Sequence, residues 1–137
     1  MTLVTSFFIL AQLTYYNPAL GGINCDTDCL YVGTGNTVAG HYGEYLACPL
    51  EFPRWTRFVI TDSKYGLADG TWWCADAGNM VVVREDGVVI LDLLTEKIIY
   101  NEIIRVKVIL PDGYKWNGKR EVRDSWIRPI GREMRME

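Results

Sequence analysis

A chain of 137 residues is sized for one domain with a single core. Apolar residues make up 49% and charged residues 23%, which excludes a disordered chain. The net charge of −3 gives no global attraction for nucleic acid.

Val, Gly, Tyr and Trp are prominent and no long amphipathic helical pattern occurs, so the chain reads as all-β. The apolar patch Phe7-Phe8-Ile9-Leu10 is too short to cross a bilayer. No basic residue precedes it, which gives a secretory leader weak support, and the favoured reading is a first strand running through to Thr14-Tyr15-Tyr16. Asn17-Pro18 and Gly21-Gly22 then open a long loop, rich in Gly, Asn, Asp and Thr, that reaches Tyr45. Irregular connections of this length in compact domains carry binding or catalytic groups. A short apolar piece from Tyr45 to Cys48 is closed by Pro49, and Trp55 to Ile60 alternates as a strand.

Asp62 to Gly70 reads as a turn-rich connection, with Asp69-Gly70 as turn chemistry, and Thr71 to Ala75 as a short strand. Val81–Arg84 and Val88–Leu93 are expected to pair around an Asp86-Gly87 hairpin. The end of Lys97–Leu110 alternates as a strand, with a helical turn expected near Thr95. Pro111-Asp112-Gly113 is a turn and Arg120–Ile127 a last strand. Six to eight short strands with tight punctuation form a barrel or sandwich pattern. The expected organisation is one domain over 1–137, with a barrel core at about 5–110 and an extension at 111–137 that adds one or two strands. From Lys119 onward six basic residues meet four acidic ones, so that segment is read as solvated or docking, and Trp116 and Trp126 as its packing residues.

Four cysteines, Cys25, Cys29, Cys48 and Cys74, suggest disulfides and an oxidising compartment. The favoured pairing is Cys25–Cys29 with Cys48–Cys74. A four-thiolate zinc site is the competing reading, although Cys48 and Cys74 do not form a closely spaced pair. Asp26 and Asp28 lie between the first two cysteines as metal candidates or, more simply, turn residues.

Two acids stand out. Asp76 sits in Cys-Ala-Asp-Ala-Gly behind Trp72-Trp73, and Asp92 interrupts the apolar run from Val88 to Leu94. A carboxylate in such a run costs several kcal/mol unless it is hydrogen-bonded, paired or opened to a cleft. Catalysis is one reason to carry that cost, and anchoring a turn through backbone N–H groups is the other.

The order Thr14-Tyr15-Tyr16, Gly33-Thr34-Gly35, Ala47-Cys48-Pro49 with Pro53 and Thr56, Ala75-Asp76-Ala77-Gly78 and Leu91-Asp92-Leu93 resembles the "three-Asp" domain. That domain is a six-stranded double-psi β-barrel, similar to the barrels of rare lipoprotein A, membrane-bound lytic transglycosylase A, expansins and barwin-type endoglucanases. The resemblance covers about Leu13 to Leu94 and rests on order and spacing. Cys48 stands where the family has its first aspartate, Gly78-Asn79 replaces a glycine pair, and the gap from Asp76 to Asp92 is longer.

The resemblance implies cleavage of cell-wall or other polysaccharide, of the lytic transglycosylase type. Asp76 would be the acid/base and Asp92 a supporting carboxylate. Tyr16, Thr34, His41 and Trp73 would line the substrate groove. A proton-holding carboxyl near neutral pH needs apolar walls, which Tyr16, Trp72 and Trp73 are suited to supply. The implied partner is peptidoglycan or another polysaccharide, with no cofactor, metal or nucleic acid, in the extracellular space, the cell envelope or a virion. The alternative is a non-catalytic barrel that binds glycan or serves as a structural component, which the replacement at Cys48 favours. A zinc-held interaction module is a third reading.

Overall fold

The computed structural model describes residues 6–18 and 40–112, and these build a closed barrel of six strands. The strands are β1 (Ser6–Tyr16), β2 (Tyr45–Ala47), β3 (Arg57–Ile60), β4 (Gly70–Asp76), β5 (Val89–Leu94) and β6 (Ile103–Ile109). Around the barrel they run β1, β5, β2, β4, β3, β6 and back to β1. Two pairs, β1 with β5 and β2 with β4, are parallel, and the other four are antiparallel. The expected all-β barrel is therefore present. Cys25, Asp26, Asp28, Cys29, Thr34, Trp116, Trp126 and the strand expected over 120–127 lie outside the described residues.

Period-2 alternation explains the core. Ala11 and Leu13 of β1, Phe58 and Ile60 of β3, Leu91 and Leu93 of β5, and Val106 and Val108 of β6 all point inward and are buried. Trp72 of β4 joins them, its indole N–H donating to the Ala68 carbonyl at 2.9 Å. Phe52, from the β2–β3 connection, meets Phe58 edge-on at 5.4 Å between ring centroids. Cys48 and Cys74, both fully buried, close a disulfide with a Cα–Cα distance of 5.7 Å. With these two sulfurs joined to each other, neither is a ligand of a four-thiolate zinc site.

Three local expectations are corrected. Val81–Arg84 is not a strand. It touches β5 only through a single antiparallel bridge, Val83 to Val89, with Arg84 N–H donating to the Val88 carbonyl. β2 covers only Asp92 and Leu93 on that edge of β5, and the bridge, with Ile90 N–H donating to the Val82 carbonyl, lies on the part that β2 leaves free. The turn itself is as expected, with Gly87 at φ +87° where a side chain would be strained. Near Thr95 there is no helical turn, because the Thr95 hydroxyl accepts from Lys97 N–H and its own N–H donates to the Tyr16 carbonyl. The third strand starts at Arg57 rather than Trp55, since Thr56 N–H and hydroxyl both turn back to the Pro53 carbonyl.

The connection from Asp62 to Gly70 is the turn its composition implies. Asp69 accepts from both the Ser63 N–H and its hydroxyl, closing a single 3-10 turn at Lys64–Gly66.

Candidate functional site

β1, β5, β2 and β4 are neighbours, and a single row crosses all four strands near one end. Thr14 pairs with Asp92, Asp92 with Ala47, and Ala47 with Asp76. The last pairing depends on a register shift between Leu46 and Ala47, which sets Asp76 rather than Ala75 level with Ala47. The two carboxylates thus flank one small residue, on strands about 10 Å apart at the Cα atoms. Both are partly exposed.

Asp92 sits at an outward position between inward Leu91 and Leu93. That position accounts for the acid inside the apolar run. Burial pushes its carboxyl above the usual carboxylate range, and the nearby Asp76 charge adds to the rise, while the Thr14 hydrogen bond opposes it. The Thr14 hydroxyl oxygen is 2.7 Å from Asp92 Oδ1 and 3.0 Å from the Leu91 carbonyl oxygen. One hydroxyl hydrogen serves one of these acceptors fully.

Asp76 is held differently. Its Oδ2 accepts from the Tyr16 phenol at 2.9 Å and its Oδ1 from the Ala77 N–H at 2.9 Å. Both bonds suit a carboxylate. Burial raises the Tyr16 phenol far above its ordinary value, and both Asp76 and Asp92 reinforce the shift, so Tyr16 stays a neutral donor. Its ring lies in a second apolar cluster with Tyr45, Ala47, Ala75, Val81 and Leu94, against which Tyr42 packs. Tyr16, Tyr45, Ala47, Ala75 and Leu94 are outward positions of the same strands, and Val81 joins them from the β4–β5 connection, so the acids border a local apolar layer.

An aromatic group continues along β2 and β4. His41 stacks on Tyr45 at 4.2 Å and 4° between planes, with its Nδ1 3.2 Å from Glu44 Oε1. Trp55 meets Tyr45 edge-on at 5.7 Å. Trp73 pairs in register with Tyr45, and the Arg57 guanidinium lies 5.3 Å from its ring centre. Trp55 and Trp73 keep 36% and 37% of their surfaces in solvent, enough to present a ring face or edge. Trp55 does so from a left-handed backbone, φ +70°, locked by its N–H donating to the Cys74 carbonyl at 2.7 Å. Such a conformation costs on the order of 1 kcal/mol in a non-glycine residue.

Of the sequence-derived site residues, Asp76, Asp92 and Tyr16 come together, and Trp73 and His41 lie beside them through Tyr45. Thr34 is outside the described residues. Three participants escaped the sequence reading: Thr14 as the Asp92 partner, Trp55, and Arg57. Only Thr14 left a signal, through its place in the Thr-Tyr-Tyr motif. Among the described residues no group of three or more His, Cys, Asp or Glu is arranged to hold a metal ion. No helix among them is long and apolar enough to cross a membrane. The chain matches no family model, no curated protein and no solved structure.

Proposed function

We propose that this chain cleaves a polysaccharide by general acid catalysis, on a double-psi barrel of the three-Asp type. The observation that carries the reading is the row in which Asp92 and Asp76 flank Ala47 beside exposed tryptophans. A closed six-stranded barrel with two parallel pairs is compatible with the double-psi arrangement. What supports Asp92 as the acid, with Asp76 as its charged partner, is the contrast in their surroundings. Burial favours the protonated form of Asp92, whereas Asp76 is supplied with two hydrogen-bond donors.

In the transglycosylase form of the reaction, Asp92 gives its proton to the glycosidic oxygen. The C1–O bond breaks with its electron pair going to the leaving sugar. Asp92, now a carboxylate, removes the proton from a hydroxyl of the same sugar as that oxygen closes on C1. The negative charge of Asp76 offsets positive charge developing at the anomeric carbon. The buried Cys48–Cys74 bridge suits an oxidising location such as the cell envelope or the extracellular space.

A second reading is favoured by a specific feature. Where the three-Asp family has its first acid, Cys48 is committed to the core disulfide, and both remaining acids already have partners. A barrel that binds glycan without cutting it fits those facts.

Incubation with purified peptidoglycan, with products read by mass spectrometry, separates the two. Anhydro-muropeptides from the wild type, reduced on the order of 100-fold or more in Asp92→Asn, are the expected result. Co-sedimentation without products would establish the binding module instead. Neither cleavage nor binding, there or on other glycans, would sink both readings.

A further inference from the structure

The acids occupy one arc of the barrel, β1–β5–β2–β4. The opposite arc, β4–β3–β6–β1, has a different character. Its outward positions include Arg57 on β3, Arg105 and Lys107 on β6, and Phe8 and Leu10 on β1. No acidic residue occurs in β1, β3 or β6, although the whole chain carries a net charge of −3. None of the three cations has an ion-pair partner among the described residues.

Two of these cations are held on aromatic rings. The Arg105 guanidinium sits 3.8 Å from the Phe8 ring centre and that of Arg57 5.3 Å from Trp73. A guanidinium stacked in this way keeps its N–H edges free to fork onto a carboxylate. Arg105 and Lys107 are two residues apart on β6, about 7 Å. Lys107 pairs with Val59, which makes Arg57 its diagonal neighbour across β3 at about 7–8 Å. The cations therefore form a stepped line with similar intervals, and that line runs through Arg57 into Trp73, three residues before Asp76.

We propose that the outer face of β3, β6 and β1 is a track for a polysaccharide that carries carboxylates on its repeating units, leading by way of Trp73 to the acid row. This rests on the glycan reading above and narrows it to an acidic glycan. Single charges about 7–8 Å apart, with exposed Phe8, Leu10 and Ile103 on the same face, are complementary to a polymer that carries carboxylates between apolar sugar faces. Nucleic acid, with its denser phosphate charge, calls for a stronger positive field than three cations on an acidic protein supply.

The test is calorimetric titration with an oligogalacturonate and with its methyl ester, which keeps the sugar backbone and removes the charge. The expected result is tighter binding of the acid form, with the difference shrinking from low to physiological salt. Arg57→Gln, Arg105→Gln and Lys107→Gln together should weaken the acid form about 3- to 150-fold, the range three exposed ion pairs give, while Arg105→Gln with Lys107→Gln, which keeps Arg57 on Trp73, should weaken the acid form and leave the ester unchanged. Arg105 and Lys107 are exposed, so their single variants carry the test if the triple variant fails to fold. Equal affinity for acid and ester, or unchanged affinity in the variants, overturns the track while leaving glycan binding standing. Binding of neither form removes the glycan reading and the track together. Tighter binding of single-stranded DNA through the same three residues overturns the track in favour of nucleic acid.

Discussion

The Cys48–Cys74 bridge joins residues 26 apart in sequence, and β3 lies within the loop it closes. Loop-closure entropy for a separation of 26 residues amounts to about 3.5 kcal/mol at 25 °C. A domain of this size has roughly 5–15 kcal/mol of total stability, so the bridge supplies a quarter or more of it. In melting temperature this corresponds to roughly 10–18 °C. The assay is a cycle, so that any effect of reductant elsewhere in the chain cancels. Denaturant melts of wild type and of Cys48→Ala/Cys74→Ala are each run with and without reductant. The double variant loses sulfur packing in both conditions, and that loss cancels in the cycle. The difference between the two reduction effects is the contribution of this bridge. About 3.5 kcal/mol is expected, with unchanged denaturant slope for the folded core. A coupling below about 1 kcal/mol would refute the claim that the bridge constrains the unfolded chain.

Two further outcomes follow from the site and the core. Burial raises the Asp92 carboxyl, so ionising it costs the folded state more than the unfolded one. Its favourable contribution is complete below the unfolded carboxyl range and is lost as pH rises through the raised folded value. Asp92→Asn should therefore be no more stable than wild type in acid and more stable at neutral pH. Urea melts across that range check this, and a pH-independent gap would refute it. Phe58 is fully buried against Phe52 at the junction of β3, β4 and β6, so Phe58→Ala should cost about 3–5 kcal/mol by equilibrium unfolding.

Much of the barrel was legible in the sequence because one-sided burial writes itself as alternation. β1, β4, β5 and β6 each show inward and outward residues in turn. What alternation does not encode is who pairs with whom. The parallel pairing of β1 with β5 joins residues as distant as Ala11 and Val89, a partnership that no single turn motif specifies. The Asp86-Gly87 turn does bring Val83 opposite Val89, as its motif implies, but a turn motif does not fix how far the pairing extends, and here it stops at one bridge. Asp92 was conspicuous because a charge in an apolar run is costly, and its neighbour Thr14 was not, because a threonine in a strand is ordinary. Arg57 was invisible as a site residue, since its role comes from lying beside Trp73 across two strands.

The position of β1 in the closed ring sets an order of events for folding. β1 pairs along one edge with β6 and along the other with β5, and the register joins Ser6 to Ile109 and Tyr16 to Leu94. Neither partner exists on a growing chain until most of these residues have been synthesised. Phe7, Phe8, Ile9 and Leu10 therefore wait with both backbone edges unpaired, and the ring closes only when β5 and β6 arrive. Contacts of this sequence separation place the chain among slow folders, and until they form its first strand is a segment with two open edges.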